Sequence, residues 1–132
     1  MRYAALAGLA TALTLATTAM AEGISTHVLD LARGVGGKDV PVTLEMKQAD
    51  GSWRQLAAAK TDANGRVRSF GDNIQAEAAT YRLTFDMSGY DKGGSGAFFP
   101  EIDVVFRVAD PTVHYHVPVA VSPFGFSTYR GN

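Results

Sequence analysis

The chain has no cysteine, which excludes a disulfide framework, a CxxC redox pair, a thiolate nucleophile and a zinc site with sulfur ligands. It is also short of net charge. Twelve Lys and Arg stand against 13 Asp and Glu, a formal charge of −1. No basic excess is available to neutralise a phosphate backbone, so a nucleic-acid partner is not expected. No internal repeat, linker or long helical period is evident. At 132 residues one domain is expected, because two would each be too small to bury a useful core without metals or disulfides. What is present, 46% hydrophobic and 19% charged residues, is ordinary globular composition.

Residues 1–21 read as an address rather than as part of the fold. Arg2 is their only charge, an Ala- and Leu-rich stretch follows, and Ala19-Met20-Ala21 has the small-x-small form of a signal-peptidase site. Thr and Ala dilute the stretch, so it makes a poor membrane span, which needs about 20 strongly apolar residues. The expectation is a cleaved signal peptide over residues 1–21, a mature domain over 22–132, a periplasmic destination and no membrane contact in the mature form. That compartment permits disulfides, yet none can form, so stability must come from packing and subunit association.

Period-two alternation recurs through the rest. Val40, Val42, Leu44 and Met46 alternate with polar neighbours; Asp50-Gly51 marks a turn, and residues 53–60 can return antiparallel. Asn64-Gly65 marks the next turn, into a short strand over residues 66–70. Tyr81, Leu83, Phe85 and Met87 alternate, then Ile102, Val104, Phe106 and Val108, then Tyr115, Val117, Val119 and Val121. With residues 24–31 in front and 126–129 behind, about eight strands are expected. The fold class is all-β, a two-sheet sandwich with Greek-key-like connections and at most one short helix; alternation alone leaves a closed barrel as the alternative. Residues 72–79 read as a helical turn or extended loop, and the Gly-rich stretch 88–96 as a loop.

His27, His114 and His116 are the side chains that titrate near neutrality without help. His114 and His116, two apart in an alternating segment, share a strand face. The pattern leaves three readings open: polar residues on a solvated sheet, a zinc site of three imidazoles with His27, or general acid–base catalysis. Arg66, just past a turn, is a surface charge or, if it faces a cleft, a planar cation suited to a flat anionic substrate. The aromatic, strand-like approach to Tyr129-Arg130-Gly131-Asn132 suggests a docked rather than frayed end.

Four segments carry a resemblance: Ile24-Ser-Thr-His27-Val-Leu-Asp30, Asn64-Gly-Arg66, Phe98-Phe-Pro-Glu-Ile102, and His114-Tyr-His-Val-Pro118 running on through Ser122-Pro-Phe-Gly-Phe-Ser-Thr-Tyr-Arg-Gly131. In this order the chain closely resembles the 5-hydroxyisourate hydrolases, transthyretin-like enzymes of urate degradation. The resemblance implies a transthyretin-type sandwich assembled as a homotetramer, a dimer of dimers with active sites at the dimer–dimer interface. It implies hydrolysis of the N1–C6 lactam bond of 5-hydroxyisourate, with no metal or organic cofactor. By position, His27, Arg66 and His116 match the family's catalytic residues. His27, Arg66 and Tyr129 match its substrate contacts, with His114, Arg130, Gly131 and Asn132 in support.

The chain departs from the family pattern twice. Asn132 stands where the family usually has serine, so a hydroxyl is missing there. Residues 34–41 replace the family's Gly-x-Pro-Ala and look like a loop change away from the catalytic residues. The resemblance also admits a non-enzymatic alternative, a transthyretin-like carrier of a small aromatic ligand. The His-x-His pair and the Tyr-Arg-Gly end, which vertebrate transthyretin lacks, favour the enzyme.

Overall fold

The computed structural model describes residues 23–71, 74, 77–90 and 96–132. The signal segment expected over residues 1–21 lies outside these, as do parts of the stretches 72–79 and 88–96.

Nine strands form two sheets: β1 (Ile24–Asp30), β2 (Val35–Gly36), β3 (Pro41–Lys47), β4 (Trp53–Lys60), β5 (Arg66–Val67), β6 (Ala79–Asp86), β7 (Glu101–Val108), β8 (Tyr115–Ser122) and β9 (Gly125–Thr128). One sheet runs β4-β3-β6-β7; the other runs β2-β1-β8-β9, with β5 also on β1. The described residues contain no helix, and two separate sheets rule out the closed barrel.

Alternation becomes layering. In β3, Val42, Leu44 and Met46 are buried while Pro41 and Lys47 are exposed. Opposite them in register lie Phe85, Leu83 and Tyr81 of β6. From the other sheet, Val28, Val67, Val117, Val119 and Val121 complete the core. Each fully buried side chain of this size contributes about 1.5–3 kcal/mol of transfer free energy. On the solvent face of the four-stranded sheet, Glu45 and Arg82 pair across strands at 2.6 Å, with the guanidinium 4.5 Å from the Trp53 ring.

Three sequence expectations need correction. The count is nine because residues 34–41, expected as a remote loop, contribute β2. Gly36 and Gly37 explain it: a Cβ on Gly36 would lie 2.0 Å from the Asn64 carbonyl, and one on Gly37 would lie 2.6 Å from Val28. Only glycine lets this backbone lie so close. Secondly, the strand expected over residues 66–70 stops at Val67; Arg68, Ser69 and Phe70 turn away from β1 and line a cleft instead. Thirdly, the last strand ends at Thr128, not at Tyr129.

Two pairings position the site. Strand β1 runs parallel to β8, the one parallel pair in the described sheets, setting Ser25 beside His116 and Thr26 beside Val117. On its other edge β1 is covered by β5 and β2 in succession, with His27 opposite Arg66. A parallel pair needs a long crossover, here supplied by the whole of the second sheet. Residues far apart in sequence therefore meet on one face.

Candidate active site

Arg66 is placed by its turn. Gly65 has φ +78°, and a Cβ there would lie 2.4 Å from the Val28 carbonyl, so this position needs glycine. The turn is tied to β1 by the Val28 amide donating to the Gly65 carbonyl at 2.8 Å. The Asp62 carboxylate accepts from the amides of Asn64 and Arg66, each at 2.9 Å. The hydrogen bond from the Arg66 amide leads the causes holding Asp62 below the ordinary carboxylate range. Arg66 thus leaves a rigid backbone, half-buried, opposite His27.

His27 donates from Nε2 to the Asn64 carbonyl at 2.8 Å. A carbonyl can only accept, so the neutral ring keeps its lone pair on Nδ1. Burial first, and the positive charge of Arg66 second, hold His27 below the ordinary imidazole value. It is neutral near pH 7.

His116 projects from β8 on the face that Ser25 shares. Its Nδ1 lies 2.7 Å from Ser25 Oγ, and the same oxygen lies 2.8 Å from His114 Nε2. The two imidazoles stack with centroids 6.4 Å apart and planes 17° from parallel. Burial, then Arg66, His114 and His27 in turn, lower the basicity of His116, so it too is neutral near pH 7. The chain end docks against it. The Gly131 amide donates to the His116 carbonyl at 2.8 Å, and a Cβ on Gly131 would lie 2.6 Å from His116 Cδ2. The Arg130 guanidinium sits 4.8 Å from the Tyr115 ring, a cation–π contact that pins the tail.

These groups border a cleft of about 580 Å³. Ser25, Arg66, Arg68, His114, His116 and Asn132 make its polar side; Ile24, Leu44, Val67, Phe70 and Ile74 make an apolar end. The volume suits a small molecule. Of the residues singled out in the sequence, Arg66, His114, His116 and Asn132 line the cleft. His27 stands beside it across from Arg66, and Tyr129, more than half exposed, lies on the tail. Ser25, Asp62, Arg68 and Phe70 were not singled out. Ser25 lies two residues before His27 and so shares its face, but only the parallel pairing with β8 brings it to His116.

A three-imidazole zinc site does not fit this geometry. His27 Nε2, His114 Nε2 and His116 Nδ1 are each engaged in a hydrogen bond, and His114 Nδ1 is buried. Among the described residues no three potential ligands converge.

Residues 24–131 match the family model described as HIUase/Transthyretin family. The chain belongs to the HIUase/Transthyretin family. Among curated relatives it is 37% identical over 129 residues to a 5-hydroxyisourate hydrolase of Salmonella typhi, covering 97% of this chain and 94% of the relative. Among solved structures it is similar to transthyretin from Sparus aurata, with TM-score 0.76 and 30% identity over 83% of this chain and 97% of that one. It is also similar to the 5-hydroxyisourate hydrolase of Klebsiella pneumoniae, with TM-score 0.71 and 31% identity over 83% and 99%. The two-sheet transthyretin-like sandwich inferred from the sequence is therefore the observed fold. The family joins 5-hydroxyisourate hydrolases and transthyretins, and the residues of the cleft bear on which chemistry this chain performs.

Proposed function

We propose that the protein hydrolyses 5-hydroxyisourate in urate degradation. The observation that carries this reading is the placement of two imidazoles, His27 and His116, beside the Arg66 guanidinium at the polar end of a small cleft. A carrier needs only a complementary surface. Unprotonated imidazoles beside a fixed cation are what water attack on a carbonyl requires.

In the reaction, water oxygen bonds to C6 of the substrate and the C6–N1 bond breaks. One water proton passes to an imidazole and a proton is returned to N1, so the net change is the addition of one water. General base assistance of this kind contributes about 10²–10⁴-fold. Arg66 holds the flat anionic ring and stabilises the charge that builds on the carbonyl oxygen. His27, Arg66 and His116 are the catalytic set, with Tyr129 as a further substrate contact. His114, Arg130, Gly131 and Asn132 support them. No step requires a metal or cofactor, and activity is expected to survive chelation.

The test is hydrolysis of substrate generated in situ by urate oxidase. The protein should accelerate the loss of substrate absorbance and yield one enantiomer of the ring-opened product, 2-oxo-4-hydroxy-4-carboxy-5-ureidoimidazoline, which spontaneous decay cannot do. A rate no faster than spontaneous decay, together with tight binding of an aromatic ligand, would favour the carrier.

We further infer a homotetramer, a dimer of dimers. Strands β7 and β9 each end their sheet, and Val105, Phe124, Phe126 and Tyr129 are exposed on or beside them. Unpaired edges with apolar neighbours favour association. Light scattering should give four copies. Residues 1–21 are inferred to be a signal peptide that delivers the enzyme to the periplasm. Recovery of exported protein beginning at Glu22 would support this, and retention of Met1 would oppose it.

A further inference from the structure

Ser25 Oγ stands between two imidazole nitrogens, and the hydrogen count restricts what this arrangement can be. Two hydrogen bonds, at 2.8 Å to His114 Nε2 and 2.7 Å to His116 Nδ1, need two protons. A serine hydroxyl can supply one and accept the other. The oxygen could accept from both rings through its two lone pairs, but its own proton would then have no acceptor among the described residues; pairing that proton requires one ring nitrogen to donate while the other accepts. Because the serine faces Nε2 of one ring and Nδ1 of the other, two neutral arrangements satisfy both bonds and pair the serine proton. In one, both rings carry their proton on Nε2; in the other, both carry it on Nδ1. A mixed pair either breaks one of the bonds or has both rings donate to the serine, leaving its own proton without an acceptor among the described residues.

The surroundings keep the unit closed. Ser25 is buried, and His114 Nδ1 is buried without a hydrogen-bond partner among the described residues. Both residues border the cleft but are largely covered by their neighbours, so a broken bond leaves a poorly solvated polar group without its partner, which is costly. His116 lines the cleft, and its Nε2 has no hydrogen-bond partner among the described residues. That atom is the one left to meet substrate or water.

We propose that Ser25 and His114 are positioning residues for His116, the serine hydroxyl locking both imidazoles into one shared tautomer so that His114–Ser25–His116 works as a single unit. This rests on the hydrolase reading for its use in catalysis. From the arrangement with both protons on Nδ1, His116 Nε2 is free to take a water proton; both its nitrogens then carry hydrogen and Nδ1 donates to Ser25. The serine then donates to His114 Nε2, which must be the acceptor. Return of the Nε2 proton to the departing N1 restores the neutral chain. His114 matters because it can accept as well as donate, and a side chain that does neither leaves protonated His116 a poorer partner.

Long-range ¹H–¹⁵N spectra of labelled protein report which ring nitrogen carries the proton. In the wild type, His114 and His116 are expected to carry it on the same-named nitrogen, Nδ1, which leaves His116 Nε2 free to act as the base. Opposite tautomers overturn the proposal without any variant being made. Ser25→Ala should leave His116 as a mixture of tautomers and lower kcat by about tenfold or more, part of the acid–base contribution, with KM changed less than about twofold. An unchanged tautomer with an unchanged kcat overturns it. His114→Gln, whose amide both donates and accepts, should retain more of kcat than His114→Phe, and equal loss in the two would count against the coupling. A wild type that shares one tautomer between the rings yet does not hydrolyse the substrate counts against the hydrolase reading alone.

Discussion

At the start of β1, Ser25 and His27 meet imidazoles and a guanidinium beside a cleft; at its far end, Asp30 meets Arg33 and Tyr90 in a closed knot. The Asp30 carboxylate accepts from the Arg33 amide at 3.0 Å, from Arg33 Nε at 2.8 Å and from the Tyr90 hydroxyl at 2.6 Å, while the guanidinium lies 5.1 Å from the Tyr90 ring. Burial alone would raise this carboxyl, but the hydrogen bonds from Tyr90 and Arg33 outweigh it and hold it below the ordinary range. In the knot both carboxylate oxygens are satisfied and the charged form is favoured. In the cleft, His116 of β8, the strand paired with β1, keeps Nε2 without a hydrogen bond among the described residues, and burial beside Arg66 disfavours the charged imidazole. One strand thus carries a cluster that serves stability and another that leaves bonding capacity for a substrate.

The largest effect that can break this contrast is His116→Ala. It should lower kcat by about 10²–10⁴ while leaving the urea midpoint close to wild type, since a half-exposed ring is removed from the edge of the core. A variant that unfolds instead would place His116 among the stabilising groups and erase the distinction.

Asp30→Asn should do the reverse. Losing charged hydrogen bonds in a buried site costs about 1.5–3 kcal/mol, read as a lower urea midpoint, with kcat of the folded enzyme unchanged. Acid separates the two clusters as well. His27 and His116 have folded values below their unfolded ones, so the unfolded chain binds protons first as pH falls. Their contribution to stability is full above the ordinary imidazole value near 6.5 and declines below it. Activity is lost only as pH passes through the lowered folded values. Asp30 contributes above the ordinary carboxylate value, and its contribution disappears as pH falls through its depressed folded value. Activity should therefore fail at a higher pH than the fold does, and coincident loss would contradict the contrast.

How much of this could be read in advance varies along the chain. Strands β3 and β4 follow directly from alternation and from Asp50-Gly51, because an antiparallel hairpin is a local object. The pairing of His114 with His116 on one face is local too. Ser25 was invisible because its meaning depends on β1 lying parallel to β8, a contact spanning 91 positions that no local pattern encodes. Residues 34–41 misled for another reason. Their glycines read as loop punctuation, whereas Gly36 and Gly37 are there for close backbone approach beneath the turn that carries Arg66. Beyond Val67, Arg68 to Phe70 could have continued β5, but they leave the β1 edge to line the cleft beside Ser25. Specific function here sits where local preference is overridden.

Gly131→Ala tests the cleft from the tail side. The new Cβ would sit 2.6 Å from His116 Cδ2, and the ring, held through Nδ1 by Ser25, must shift or give up that bond. Small misplacements of a catalytic group cost up to about 10²-fold, so a loss near tenfold in kcat is expected, with stability little changed because the tail is largely exposed. Gly131→Ala with full activity would mean that the His116 ring moves freely and that its hydrogen bond to Ser25 is unimportant.

The smallest effect concerns the residue at which the chain departs from its relatives' pattern. Asn132 is exposed but lines the cleft, and its amide both donates and accepts, as a serine hydroxyl does. No hydrogen bond ties its side chain to another described residue, unlike Gly131, whose backbone is held to His116. Asn132→Ser should therefore change kcat/KM by less than about threefold, the scale of a surface polar contact of about 0.5 kcal/mol. A gain of tenfold or more would show that the hydroxyl takes part in the reaction and that this enzyme works with an incomplete cleft. An unchanged rate would place the working part of the tail in the Gly131 backbone and the Arg130–Tyr115 contact.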